Sequence, residues 1–295
     1  MGAVNESLMQ RTTLGTLCSR YGLTVSPACA SPVTVTALAD DISSVRPGTL
    51  FVPLGQEVTP ELLRRALNRG AYAVLAPVAM RGFLTDADLP VVYGDLDARR
   101  LGELAADLAD KPSDALAMFG VIGPGADETM RVLSEFLHVL GNPVGRVSAG
   151  GSYSLDRELD HRCPLGTFEV QHELAVCAED GAAAVVVAVE PGTLRPGALS
   201  SVNMDVIAVA DAAGASVDTQ RRLLEAAADD YGFPIGEDTH LTWRNADSDA
   251  LARQASGTDD PASIARLSTS IAMVMAAGVR RGNIRNALRV SRELS

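Results

Sequence analysis

The chain has 295 residues, 47% of them hydrophobic and 21% charged, enough to fill the cores of two ordinary domains. Its formal charge of -12 leaves no clustered cationic footprint for nucleic acid or for anionic headgroups, so neither partner is expected. Lys111 is the only lysine, so arginine supplies nearly all the positive charge.

Along the chain, short apolar runs alternate with helical patterns, as in parallel α/β proteins. Residues Met1 to Gly15 are polar and contain no apolar h-region, so no signal peptide is expected. Pro60 to Arg69 reads as a helix with Leu62, Leu63, Ala66 and Leu67 on one face. Buried strands are expected at Ala71–Leu75, Ala117–Ile122, Ala183–Val189 and Asp205–Val209, each nearly continuous in apolar residues because both faces are covered. Ala98 to Ala109 is a helical stretch, and the following Asp110-Lys111-Pro112-Ser113 is the predicted boundary between domains 1–110 and 111–295. Further helices are predicted over Thr129 to Leu140, Ala262 to Ala277 and Asn283 to Val290. Gly150-Gly151-Ser152 and Ala255 to Asp260 read as loops, Asp229-Asp230 as a solvated helix end, and Trp243 as an edge-strand packing residue. No run approaches the length of a membrane span; Ala182 to Val189 is the longest. Cys18, Cys29, Cys163 and Cys177 have no C-x-x-C spacing, which suits a reducing cytoplasm and argues against a structural zinc site.

Four passages together resemble the Mur ligases, the MurE type in particular. They are Asp41 to Leu54 followed by Ala66 to Leu75; Phe119 to Thr129; Cys163-Pro164-Leu165 through Gln171 with the strand ending at Val189; and Ile264 to Val290. The resemblance implies an N-terminal α/β domain that holds the UDP end of a sugar nucleotide, over residues 1–110. It implies a parallel-sheet, P-loop-type ATPase domain over 111–295. The family's third, C-terminal ligase domain has no counterpart in these residues, so the expectation is a truncated and degenerate MurE-like protein.

In the family the turn at Gly123 would read Gly-Thr-x-Gly-Lys-Thr-Thr, with glycines for close backbone approach, a lysine against the phosphates and a hydroxyl on magnesium. Here Gly123 is kept, but Pro124, Gly125, Ala126, Asp127, Glu128 and Thr129 follow. Pro124 has no N–H to donate. Asp127 and Glu128 put two carboxylates where a triphosphate would sit, a repulsion on the order of several kcal/mol against at most about 2 kcal/mol from the helix dipole. The alternative is a plain strand–turn–helix start, capped by its own acids, with Arg131 four residues on to pair with Asp127.

The other positions that the resemblance assigns to catalysis are changed too. The family's magnesium glutamate falls at Ala188, with Glu190 two residues further on, and the Asn-Leu-x-x-Asp-His passage reads Asp211-Ala212-Ala213-Gly214-Ala215-Ser216. No lysine after Lys111 remains for carbamylation. In the N-terminal domain the Asp-Ser-Arg of the uridine site reads Asp41-Ile42-Ser43, and the Asp-Gly-His loop is shortened around Val58-Thr59-Pro60. The stretch holding His161, Cys163, Glu169, His172 and Cys177 does not match a defined zinc spacing and reads as surface histidines with small buried cysteines.

The expected function is therefore a non-catalytic Mur ligase-like protein without cofactor or metal. It would act through a protein partner or a second copy, or sense a UDP-sugar. Asp41, Ser43, Glu169, His172 and Glu190 are its candidate substrate contacts. The alternative is an enzyme of changed chemistry on the same scaffold, with His161, Glu169, His172 or Glu190 newly placed.

Overall fold

The computed structural model describes residues 12–84, 87–160, 162–210, 215–255 and 260–294. The chain divides into two compact units, residues 1–109 and 110–295.

The first unit runs β1 (Thr12–Thr13), α1 (Leu14–Tyr21), β2 (Thr24–Ser26), β3 (Thr34–Val35), β4 (Ala37–Ala39), β5 (Thr49–Phe51), α2 (Pro60–Arg69), β6 (Ala71–Ala76), β7 (Val91–Tyr93) and α3 (Ala98–Leu108). Its sheet has the order β2-β7-β6-β5-β4, parallel except for the antiparallel edge pair β2–β7. The helix read at 60–69 forms with the predicted bounds, for a local reason. The Thr59 hydroxyl accepts from Leu62 N, Pro60 occupies the first turn, and Gly70 ends the helix in the left-handed region. Its Leu62, Leu63 and Ala66 are buried against Phe51, Val74 and Val91, while Leu67 stays 38% exposed.

The second unit runs β8 (Ala117–Ile122), α4 (Ala126–Val139), β9 (Val144–Val147), β10 (Tyr153–Ser154), β11 (Arg157–Glu158), α5 (Thr167–Glu179), β12 (Ala184–Val189), β13 (Val206–Val209), α6 (Val217–Tyr231), β14 (His240–Thr242), α7 (Ala246–Ala255), α8 (Pro261–Ala276) and α9 (Arg281–Leu294). Strand order is β11-β10-β9-β12-β8-β13-β14, with β9 to β14 in that order parallel and β10–β11 an antiparallel hairpin at one edge. Two cores cover the two faces of this sheet. Val185, Val187 and Val189 of β12 pack under α5 and α6; Ala184, Val186 and Ala188 face α4, α8 and α9. Each buried Val or Leu side chain here is worth roughly 1.5–3 kcal/mol.

The predicted strands appear within one residue at either end, because continuous apolar runs between breakers admit little else. The helix expected from Thr129 starts three residues earlier, at Ala126. The apolar periodicity of Val132, Phe136 and Leu140 does not register the first turn, which is held by Gly125 and the acids instead. Trp243 directly follows β14, an edge strand of three residues. Part of the loop read at 255–260 lies outside the described residues. Among the described residues no helix is long and apolar enough to cross a membrane.

Candidate functional site

Parallel strands end on the same side, so the turns after β8, β9 and β12 gather at one end of the second sheet, where open α/β folds place their ligands. After β8 the chain turns sharply through Gly123 (φ 89°) and Gly125 (φ 78°), both left-handed conformations that strain a residue with a Cβ. Ala126 N donates to Gly123 O at 3.0 Å, and Thr129 N to Gly125 O at 3.0 Å, so α4 begins at once.

Asp127 and Glu128 occupy the first turn of α4, where the dipole favours them. The Asp127 carboxylate pairs with Arg131 Nε at 3.3 Å, the predicted i,i+4 contact. Its other oxygen, Oδ1, is buried without a hydrogen bond and faces the turn after β9, about where a Cβ on Gly150 would be 3.7 Å away. Thr129 is buried, with its hydroxyl unpartnered.

Glu190 directly follows β12. Burial first, then the Asp127 and Glu128 carboxylates, push its carboxyl above the usual range, against a hydrogen bond to Thr193. The structure thus brings Glu190 together with both acids of the turn, which the spacing alone did not show. A turn carrying three carboxylates and one guanidinium attracts cations and repels phosphates.

Glu169 and His172 have other surroundings. The Glu169 carboxylate accepts from Gly166 N at 3.0 Å at the start of α5 and pairs with Arg195 Nη2 at 3.1 Å. Arg195 also donates through Nε to Pro164 O at 3.2 Å, so the pair ties the Cys163-Pro164 loop to the segment after β12. His172 is exposed on the same helix, and His161 lies outside the described residues, as do Asp211 to Gly214. Burial raises the Cys163 thiol to about 11 and the Cys177 thiol to about 12, with the fully buried Glu173 carboxylate adding to both. Both shifts favour the neutral thiol over the thiolate, the nucleophilic form.

In the first unit Asp41 forms a compact turn. Its Oδ1 accepts from Ser43 N at 2.7 Å and from the Ser43 hydroxyl, while Oδ2 accepts from Ser44 Oγ at 2.5 Å. Burial works to raise the Asp41 carboxyl, but these hydrogen bonds outweigh it and hold it below its ordinary value. Asp41 and Ser43 are therefore together, satisfying each other. The reading of single residues missed an open depression of about 780 Å³ in this unit, lined by Thr13, Gly15, Thr16, Ser19, Arg20 and Ser31 among others. Residue spacing carries no signal for it; its wall includes Thr13, whose hydroxyl caps α1 by accepting from Thr16 N at 3.2 Å.

No family model matches the chain. Curated relatives with significant similarity are UDP-N-acetylmuramoyl-L-alanyl-D-glutamate–2,6-diaminopimelate ligases. The chain is 29% identical to that of Lactiplantibacillus plantarum over 116 residues, 39% of this chain and 22% of the relative. It is 35% identical to that of Parasynechococcus marenigrum over 136 residues (44% and 27%), and 30% to that of Pseudomonas syringae pv. tomato over 171 residues (56% and 35%). The matched stretches thus span about a fifth to a third of those relatives' length. Among solved structures, a ligase of the same name superposes with TM-score 0.56 at 12% identity, covering 88% of this chain and 63% of that one. MurF from Acinetobacter baumannii superposes with TM-score 0.57 at 13% identity, covering 92% and 66%. The scaffold is that of the Mur ligases.

Proposed function

We propose that this homologue of the Mur ligases is a non-catalytic member of their fold, acting by binding rather than by ATP-driven amide formation. The observation that carries the reading is the acidic turn at the end of β8. Asp127 and Glu128 stand at the start of α4 and Glu190 faces them, where a nucleotide-dependent ligase must hold a triphosphate. A carboxylate–phosphate contact of about 4 Å at the partly buried Asp127 and Glu190 costs about 4 kcal/mol, more than the helix dipole returns, while the exposed Glu128 adds a screened repulsion. Pro124 withdraws one N–H from the same turn.

The names of the relatives direct the binding role toward UDP-muramoyl-peptide metabolism. The domain assignment follows: residues 1–110 as the UDP-substrate-type domain and 111–295 as the degenerate ATPase-type domain. Against an active site of changed chemistry stand the engagement of Glu169 with Arg195 and the cap of α5, and thiols held in the protonated form.

The test is a titration of the full chain with ATP and magnesium, followed by thermal shift and by ADP release, beside UDP-N-acetylmuramoyl peptides. The expectation is no thermal shift and no ADP release with ATP. Saturable ATP binding together with amide formation would overturn the reading.

A further inference from the structure

Charge is unevenly distributed in this acidic chain. Residues 261–292 contain six arginines and no aspartate or glutamate, so this stretch carries +6 and everything else sums to -18. Most of that positive charge lies on or beside α9. Arg281, Arg285 and Arg289 are four residues apart and so share one helix face, with Arg280 just before it, and all four are exposed. Arg281 pairs with Asp247; Arg280, Arg285 and Arg289 make no ion pair among the described residues. Like charges at i,i+4 repel along a helix, so this row is unfavourable within one copy.

A matching excess of acid lies elsewhere in the same unit. From Leu223 to Trp243 there are five carboxylates, Glu225, Asp229, Asp230, Glu237 and Asp238, and no lysine or arginine. All five are exposed, and none makes an ion pair among the described residues. Asp229 and Asp230 sit in the last turn of α6, where the helix dipole disfavours negative charge, so this placement is unfavourable too.

The helices that carry most of the two patches, α6 with Glu225, Asp229 and Asp230 and α9 with its arginines, lie on opposite faces of the seven-stranded sheet. Leu224, Ala227 and Tyr231 anchor α6 in the core over Val185 and Val187, whereas Ile284, Ala287 and Leu288 anchor α9 in the core under Ala184 and Val186. The sheet therefore stands between α6 and α9, and among the described residues no ion pair joins the two patches within one chain. Each patch also exposes apolar surface of its own: Leu223 (47%) and Ile235 (38%) beside the acids, Val290 (42%) beside Arg289. Apolar contacts ringed by charge are the composition of a weak protein interface.

We propose that the arginine face of α9 docks onto the acidic 225–238 surface of a second copy of this chain. Because the two surfaces differ, the contact is heterologous, and it repeats into short open chains or a ring instead of closing as a two-fold dimer. The association does not rest on the state of the nucleotide turn.

Its salt dependence follows from the charges. Two bodies of net -12 repel at long range, and salt of about 0.1 M, with a Debye length of about 10 Å, screens that repulsion while leaving contact pairs largely intact. At about 1 M the length falls to about 3 Å and the contact pairs weaken as well. Sedimentation velocity and equilibrium of the full chain should show species above the 30.8 kDa monomer that grow with concentration near 0.1 M salt and recede at 1 M. The double variant Arg285→Glu/Arg289→Glu should weaken association about tenfold or more, as should Asp229→Arg/Asp230→Arg. An equimolar mixture of the two variants should associate again, since each supplies the surface that the other lacks. The variant Arg64→Glu/Arg65→Glu, on exposed positions of α2, alters net charge equally to the first and should leave association unchanged. Should the arginine-side variant misfold by circular dichroism, the acid-side variant mixed with wild type, which supplies an intact acceptor, carries the test. A monomer at every salt concentration, an equal loss in the α2 control, or no recovery on mixing would each overturn the proposal.

Discussion

Replacing Glu190 by glutamine isolates the electrostatics of the turn at the end of β8. Glutamine keeps the shape and a hydrogen-bonding group for Thr193 but removes a charge that faces Asp127 and Glu128. Two carboxylates about 4 Å apart repel by about 4 kcal/mol at an effective dielectric of 20, an upper bound for these groups. The Asp127 side chain is 29% exposed and already paired with Arg131, and Glu128 is open to solvent, so screening brings the relief to about 1 kcal/mol. The melting temperature of Glu190→Gln should rise by about 2–4 °C at pH 7. The pH dependence has a definite sign. A carboxyl raised in the folded state contributes stability that is fully present below its unfolded value, about 4.3, and lost as pH rises through the folded value. Variant and wild type should therefore coincide near pH 4 and separate toward neutrality. A double-mutant cycle with Asp127→Asn should show a coupling of about 0.5–1 kcal/mol in the sense of repulsion. A destabilised Glu190→Gln, a pH-independent difference, or a zero coupling would refute the arrangement of the three acids.

Three further outcomes follow from the packing of the second unit. Gly145→Ala would place a Cβ 2.6 Å from Cys177 Sγ and 3.1 Å from Val185, so urea unfolding should show a loss of about 1–3 kcal/mol, largely recovered when Cys177→Ala is added. Asp249 accepts from Arg244 Nε at 3.0 Å and from Ser268 Oγ at 2.6 Å; burial works to raise its carboxyl, yet these partners hold it below the ordinary range. Asp249→Asn should cost about 2 kcal/mol at pH 7, a deficit that shrinks as pH falls below about 4, where wild type loses the same stabilisation. Arg195→Ala removes the tie between Glu169 and the Cys163-Pro164 loop and should cost about 1–2 kcal/mol, with faster limited proteolysis near residue 163 as the readout.

What could be read from the residues was whatever depends on neighbours in sequence. Thr59, Pro60 and Gly70 delimit α2 by capping chemistry that operates within a few residues, and the run Ala117–Ile122 has no alternative to a doubly covered strand. The Asp127–Arg131 pair follows from helical spacing, and Gly123 with Gly125 from the backbone freedom a tight turn demands. The resemblance to the Mur ligases was legible for the same reason, since its turns and strands are local features carried in order along the chain.

Tertiary structure alone decided which distant groups meet. Glu190 comes near Asp127 and Glu128 because β12 and β8 are parallel neighbours, their paired residues, such as Val189 and Ile122, lying 67 positions apart. Glu169 is occupied by Arg195 because the Cys163-Pro164 loop crosses the segment after β12. The arginines of α9 and the acids of α6 are both visible as runs in the sequence, but their separation by the sheet is not. Local chemistry is written every few residues, whereas the face of a sheet on which a helix lands depends on connections that no short window contains.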